Sequence, residues 1–396
     1  MSGQFRRGVL LSLAAALVAM SAGCAGPAAS KDAGSTEENE PYKLGAVLSL
    51  TGTYAALGTS EKNAIELEVK RINDAGGING RDLEVIIEDD ATDEAKAVAA
   101  ASRLIDQEQV LGILGATGTG QTMAMRSELK RANVPQISMA GGTVVTQDFD
   151  PLVFQTPWSN IIVVPFVLDA IKQEGHTKIA LISDNGGYGK DGRDVVLSEA
   201  KQAGMEVVSD QTFNPGDTDM SAQLTKIKGS GAEALLLWTA GKEATTIVKN
   251  ARDLGIDLPL YGGSGQARLE FAEGAGEAAE GFVFGTGKSL IAENWGDDTA
   301  QLDAVTDFAT RYEAAYGEKP DIFAGHAFDA VSIVADALRR AGAGANSGML
   351  REAIEATRGL PGFGGAFTYS RSDHNGLTSE DLALYRVEGG TWVSAE

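Results

Sequence analysis

The chain has the sequence LGAVLSLTG at residues 44–52, INDAGGING at residues 72–80 and an apolar segment at residues 83–87. The first is a short apolar run that stops at Thr-Gly, which predicts a buried strand over residues 44–50. Apolar residues on one wide helical face predict a helix over residues 61–75, and the Asn- and Gly-rich stretch stops it. A second strand over residues 83–87 completes a β-α-β unit, in which the two strands run parallel.

The same alternation continues along the chain. Asp93 is placed to cap a helix that runs to about residue 108. Further strands are predicted at residues 110–114, 136–139, 178–183, 206–213, 234–238 and 258–261, and further helices at 121–132, 161–174, 189–203, 221–228 and 242–254. Helices at 299–316, 323–341 and 349–357 and β-like segments at 366–369 and 382–387 follow. We therefore predict an α/β protein with two parallel sheets, between which the chain crosses more than once.

The N-terminal segment has the pattern of a secretory signal. Arg6 and Arg7 precede an apolar run over residues 8–20, and Ser-Ala-Gly then leads to Cys24. The apolar run is shorter than the roughly 20 residues that a membrane helix needs. Because a cysteine directly follows small residues, the segment resembles a bacterial lipoprotein signal. This resemblance implies a signal peptide at residues 1–23 and acylation of Cys24, which would anchor the chain to the cell membrane. A plain secreted protein with an incidental cysteine is the alternative.

Composition limits the possible partners. Residues 24–41 are small, polar or charged and predict a flexible tether. The chain has a net charge of −22 and a single cysteine. An acidic surface disfavours nucleic acid and anionic lipid as partners, and one cysteine leaves no intrachain disulfide. We expect a monomer whose contact with the membrane is made through lipid on Cys24.

Ligands of open parallel sheets bind at the carboxyl ends of the strands. The predicted loops there are rich in Gly, Ser and Thr, with an occasional aromatic residue; they lie at residues 49–54, 115–120, 139–143, 184–188, 239–241 and 262–265. Glycine lets the backbone approach a ligand, and free N–H groups at a helix start attract an anion. Hydroxyls of Thr117, Thr119 or Thr143 are candidates for further hydrogen bonds, and Tyr188 for covering an apolar part of the ligand.

Catalytic and cofactor chemistry find little support in the sequence. Residues 115–122 have the spacing of a phosphate loop, but Gln121 stands where a Lys must contact the phosphates. The three histidines have no metal-ligand spacing, and Gln266 stands where a serine-hydrolase elbow needs Gly. We therefore expect neither a cofactor nor a metal, and no enzyme activity.

Several segments together resemble the type I periplasmic binding proteins of the branched-chain amino acid class. They are residues 44–52, 72–80, 88–93 (EDDATD), 184–189 (DNGGYG) and 278–281 (AAEG). The resemblance implies two Rossmann-like lobes that close on a ligand and are joined by a hinge of three crossovers. It implies one lobe from residues 42–160 and 288–363, and a second from residues 161–287 and 364–396.

The resemblance also implies ligand contacts: Ala116, Thr117, Ala140, Gly141, Thr143, Tyr188, Trp238, Thr239, Ser264 and His326, with Phe323 as a further candidate. Ala116 or Thr117 takes the position that binds a ligand carboxylate, and Tyr188 is an aromatic that closes over the ligand. Ser264 stands where the family has the carboxylate that accepts an α-ammonium group, so the counter-charge is missing in this chain.

Three hypotheses for the function follow. The first is an extracytoplasmic receptor that passes a small solute to the permease subunits of an ABC importer, the solute being a branched-chain or related amino acid, an amide or a carboxylate. The second is a sensor on the same scaffold that signals to a membrane receptor. The third is an extracellular enzyme on an α/β scaffold.

Overall fold

The computed structural model describes residues 40–395. The predicted signal peptide at residues 1–23, the acylation site Cys24 and the predicted tether up to residue 39 lie outside the described residues. Among residues 40–395, no helix combines the length and the apolar composition that crossing a bilayer requires.

A parallel five-stranded sheet forms the first half of the molecule. Its strands are β1 (Tyr42–Leu48), β2 (Leu83–Asp89), β3 (Ile113–Gly115), β4 (Gln136–Ser138) and β5 (Val153–Gln155), in the order β2-β1-β3-β4-β5. The intervening helices are α1 (Ala55–Asp74), α2 (Glu94–Asp106), α3 (Thr119–Ala132) and α4 (Val144–Gln147). Alternate residues of β1 face opposite sides of the sheet: Leu44 and Leu48 pack in the core that contains α1, whereas Val47 packs with α2 and α3.

A seven-stranded sheet forms the second half. Its strands are β6 (Lys178–Asp184), β7 (Glu206–Phe213), β8 (Ala234–Trp238), β9 (Leu260–Gly262), β10 (Val283–Gly287), β13 (Leu382–Glu388) and β14 (Thr391–Ser394). Their order is β14-β13-β10-β9-β8-β6-β7, and β13 is antiparallel to both of its neighbours. The helices between these strands are α5 (Asn160–Gln173), α6 (Gly187–Gln202), α7 (Ser221–Lys228), α8 (Glu243–Asp253) and α9 (Leu269–Ala275).

The chain returns to the first sheet after β10. Helices α10 (Thr299–Tyr316) and α11 (Ile322–Ala341) pack against α1, and α12 (Ser347–Glu355) packs on α11. A two-stranded sheet of β11 (Leu360–Pro361) and β12 (Ala366–Phe367) follows. The next residues lie along β5, where the Gln155 N–H donates to the carbonyl of His374 over 2.9 Å. We call the five-stranded sheet with α1–α4 and α10–α12 the first lobe, and the seven-stranded sheet with α5–α9 the second lobe.

The structure differs from the sequence prediction in some elements. Helix α1 begins six residues before the predicted residue 61, because Leu57 and Gly58 are buried and Gly58 lies directly against the backbone of Ser49. Strands β5 and β10 were not predicted. Each offers only a short apolar run, and each is held as a strand by the neighbours with which it pairs.

Candidate functional site

A cavity of about 440 Å³ lies between the two lobes, at the carboxyl ends of β1, β3 and β4 on one side and of β6, β8 and β9 on the other. This is the edge at which open parallel sheets bind ligands. The residues that line it are Tyr54, Leu57, Thr117, Gly118, Thr119, Met139, Gly141, Pro157, Trp158, Tyr188, Ala240, Ser264, Gly265, Phe323 and His326. Both lobes and the segment that joins β5 to α5 therefore contribute to one space.

Five of the ten predicted contacts line this cavity: Thr117, Gly141, Tyr188, Ser264 and His326. Phe323 lines it as well. Their role in ligand binding stays a prediction, but the structure brings residues that are more than 200 positions apart in the chain to one place.

The other five predicted contacts do not line the cavity; they are Ala116, Ala140, Thr143, Trp238 and Thr239. Ala116 and Ala140 are packed in the core beside α2 and α3. Trp238 lies behind Tyr188 with its ring stacked at 6.2 Å, and its Nε1–H donates to Asn160 Oδ1 over 3.1 Å. The Oγ1 atoms of Thr143 and Thr239 accept backbone N–H groups of Ile161 and Gly241. These side chains support the wall rather than form it.

The hydroxyl of Thr117 is already satisfied within the protein. Its Oγ1 accepts the N–H of Ser49 over 3.0 Å and donates to Glu61. Glu61 is fully buried, and burial raises the pKa of its carboxyl well above the usual range. The donor and one acceptor position of the Thr117 hydroxyl are thus taken within the protein, and its contact with a ligand stays a prediction.

Four other polar atoms of the wall have no hydrogen-bond partner although they are buried: Thr119 Oγ1, Trp158 Nε1, Ser264 Oγ and His326 Nδ1. Buried polar groups in native proteins are almost always paired with protein, water or ligand. Unpaired atoms of this kind also occur elsewhere in the described residues, but here four of them belong to residues of both lobes that line one cavity, which makes them candidates for ligand contact.

The side chains that line the cavity are neutral. No Asp, Glu, Lys or Arg side chain is among the lining residues in the part of the chain that the structure describes. His326 is buried, and burial lowers its pKa to about 3, so that the ring is neutral at physiological pH. A neutral imidazole carries a proton on one ring nitrogen and accepts at the other.

Helix α3 points its N-terminus at the cavity. Its N-cap, Gly118, provides no side-chain hydrogen bond, so the first-turn N–H groups have no side-chain cap. The facing helix α6 differs, because the Asp184 carboxylate accepts the N–H of Gly186 at its N-cap over 2.7 Å. Of these two helix starts, α3 is thus the one whose first turn has no side-chain acceptor, and the backbone of Gly187 packs against Gly120 N in that turn.

Aromatic side chains form much of the remaining wall: Tyr54, Trp158, Tyr188 and Phe323, with Leu57 and Met139 beside them. Tyr54 is the one aromatic residue of the predicted loop at residues 49–54, and this was the signal that could have identified it. Trp158 was missed because it follows β5, a strand of three residues that gave no signal of its own. Such a wall suits an apolar or aromatic ligand body.

The two lobes touch each other around the cavity. Asp191 of α6 accepts the N–H groups of Thr143 over 2.7 Å and of Val144 over 3.2 Å. The backbones of Gly187 and Gly120 are so close that a Cβ atom on Gly187 would lie 2.6 Å from Gly120 N. The carboxyls of Asp184 and Glu243, both in the second lobe, add to burial in raising the pKa of Tyr54. The structure therefore shows a closed cleft.

The described residues provide no metal centre. No group of three or more His, Cys, Asp or Glu side chains between residues 40 and 395 is arranged to hold a metal ion.

Comparisons with known proteins agree with this architecture. A family model described as a periplasmic binding protein matches residues 41–391. Leu/Ile/Val-binding protein homolog 3 of Brucella melitensis is 26% identical over 358 residues, which cover 89% of this chain and 93% of that protein. An extracellular ligand-binding receptor from Rhodopseudomonas palustris matches with a TM-score of 0.85 and 24% identity, covering 90% of this chain and all of the other. A further match is the branched-chain amino acid transporter substrate binding protein LivJ from Streptococcus pneumoniae, which was solved with isoleucine. It has a TM-score of 0.78 and 29% identity, and the match covers 90% of this chain and 100% of the LivJ chain. The predicted α/β fold with two lobes is thereby confirmed.

Proposed function

Since the chain belongs to the periplasmic binding protein family, as its sequence resemblance predicted, we propose that it is the extracytoplasmic solute-binding component of an ABC importer. Members of this family bind substrates and are not enzymes. The observation that carries the proposal is the cavity between the lobes, in which first-lobe atoms such as Thr119 Oγ1 and second-lobe atoms such as Ser264 Oγ are buried without partners.

Closure and binding are one process in this proposal. In an open form each lobe offers a ligand only half of the contacts, whereas the closed form offers both halves. A ligand that contacts both lobes shifts the population towards the closed form by its differential affinity. The direct hydrogen bonds between Asp191 and the first lobe then add to the stability of the closed state.

The ligand that we propose is a small amino acid, amide or carboxylate. The relative from Streptococcus pneumoniae was solved with isoleucine, and the Brucella relative is named for leucine, isoleucine and valine. In this chain the uncapped start of α3 and Thr119 Oγ1 are suited to the acceptor end of such a ligand, and the aromatic wall is suited to its apolar body.

The partners and the attachment are also proposals. We propose that the protein works as a monomer, that lipid on Cys24 holds it at the outer face of the cell membrane, and that it delivers its ligand to ABC permease subunits. The lobe boundaries at residues 42–160 with 288–363 and at 161–287 with 364–396 are proposed as well. The hydrogen bonds of Tyr369 and His374 to β5 support moving the last boundary beyond residue 375.

A ligand screen tests the proposal. The mature protein is screened by thermal shift against amino acids, amides, ureas and short carboxylates, and each compound that raises the melting point is followed by calorimetry. We expect a compound of this panel to bind, and small-angle scattering to show a more compact particle in its presence. Unchanged scattering and melting across the whole panel would remove the assignment.

A variant pair links any such binding to the cavity. Tyr188→Ala removes an aromatic wall that is 9% exposed, and we expect at least tenfold weaker binding. Thr59→Ala changes an exposed residue of α1 and serves as the matched control. Equal affinity of Tyr188→Ala and the control would place the ligand elsewhere.

A further inference from the structure

We infer that the ligand of this cleft is an acid or an amide that carries no ammonium group. The inference rests on the proposed function and narrows its ligand class: the polar end is an acceptor, such as a carboxylate or an amide carbonyl, and the remainder is apolar or aromatic. Free α-amino acids and quaternary ammonium compounds are excluded by it.

The wall supplies donors to an acceptor end. Trp158 Nε1 donates only, the hydroxyls of Thr119 and Ser264 can donate, and neutral His326 carries one N–H. Thr119 is 2% exposed and is the first residue of α3, so its unpaired hydroxyl lies beside the uncapped positive end of the helix. A carboxylate placed there gains charge-assisted hydrogen bonds without a cationic side chain.

The wall supplies no ionised acceptor to an ammonium group. Ser264 and Tyr188, the polar side chains that the second lobe contributes, are neutral, and the described part of the chain places no carboxylate in the lining. A buried cation without a counter-charge loses its hydration and regains only neutral contacts. An ammonium group would also face the positive end of α3.

The charges of Asp184, Glu243 and Asp191 act on the lining residues Tyr54 and Tyr188, but none of these carboxyls lines the cavity itself. Glu61 is separated from it by Thr117, whose hydroxyl donates to it. Asp184 is 2% exposed and lies under the first turn of α6, where its Oδ2 would be 2.5 Å from a Cβ atom on Gly189. Burial raises the pKa of both carboxyls.

Pairs of compounds that share a carbon skeleton test the inference directly. Leucine is compared with 4-methylpentanoate and 4-methylpentanamide, and phenylalanine with 3-phenylpropanoate and 3-phenylpropanamide, by calorimetry on the mature wild-type protein. We expect a compound without the amino group to bind at least a hundredfold more tightly than its amino acid, which corresponds to about 2.8 kcal/mol. Glycine betaine tests the aromatic wall as a cage for a quaternary ammonium, and we expect no heat of binding from it.

A variant with an added carboxylate tests the same inference from the opposite direction. Ser264→Asp places a carboxylate in the wall, and we expect it to gain at least tenfold in affinity for leucine or phenylalanine and to lose affinity for the acids. Thr59→Asp adds the same charge on an exposed face of α1, and we expect it to change neither the affinity for the amino acids nor the affinity for the acids. If Ser264→Asp does not fold, the comparison of the paired compounds on the wild-type protein still tests the inference.

The outcomes separate this inference from the proposed function. Tighter binding of an amino acid or of glycine betaine than of the acids and amides would overturn the inference, and loss of that binding in Asp184→Asn would identify the missed counter-charge. In that case the receptor assignment would remain. Absence of binding by every probe would count against both.

Discussion

Replacing Gly187 with Ala is expected to hold the two lobes apart. Gly187 is the first residue of α6 and has no positive φ angle, so Ala fits its backbone conformation. A Cβ atom at this position would lie 2.6 Å from Gly120 N and 3.0 Å from Gly120 Cα in the closed cleft. Both are backbone atoms of the other lobe, so no side chain can rotate to relieve the overlap.

The size of the effect follows from this geometry. Relieving the contact requires the two backbones to separate by about 0.8 Å, and overpacking of this kind costs about 1–3 kcal/mol. Since an open form does not make the contact, the whole penalty falls on the closed form. Ligand affinity should therefore drop about 5- to 140-fold, at 1.4 kcal/mol per factor of ten.

Calorimetry with the tightest compound of the ligand panel measures this loss, and scattering shows whether the particle still becomes compact. The ligand-free protein should melt at the wild-type temperature or above it, because Ala is a better helix former than Gly. Gly344→Ala is the matched control, since that glycine has no heavy atom within 4 Å of a new Cβ atom. Wild-type affinity in Gly187→Ala would show that the ligand-bound form lacks this contact.

Three further changes probe the cavity and the attachment. Thr119→Val removes a hydroxyl that has no partner in the protein; we expect about 2- to 12-fold weaker binding from a lost hydrogen bond of about 0.5–1.5 kcal/mol, with an unchanged melting point. Burial holds the pKa of His326 at about 3, below the value of about 6.5 for an exposed histidine. Below about pH 6.5 the unfolded chain therefore binds a proton at this histidine that the folded chain does not bind. The free energy of unfolding then falls by up to about 1.4 kcal/mol per pH unit. Urea unfolding at pH 6 and pH 5 should show a shallower decline for His326→Gln than for the wild type, and equal slopes would contradict the neutral buried ring. Cys24→Ser should release the protein from membranes, and continued labelling with radioactive palmitate would reveal another acylation site.

The regular elements were largely predictable because their signals are local. Asp93 caps α2 through a bond of 2.9 Å from Lys96 N to its Oδ1, as its position before an amphipathic segment indicated. The strands at residues 206–213 and 234–238 have the predicted bounds, since continuous apolar or alternating runs set their ends. Strand β5 was not predictable in this way, because three residues carry too little pattern and pairing with β4 defines the strand.

The composition of the loops, with Gly, Thr and Ser at the carboxyl ends of the strands, was enough to place a cleft there and to exclude phosphate-loop chemistry. It could not say which hydroxyl is free. Thr117 and Thr119 stand two residues apart in one loop, but Ser49 and Glu61 occupy the first and leave the second unpaired. Those partners come from more than 50 positions away, and hydrogen bonds over such separations depend on how the sheet brings strands together. Side-chain availability is therefore a property of packing, whereas the kinds of residue and the order of elements are properties of the chain.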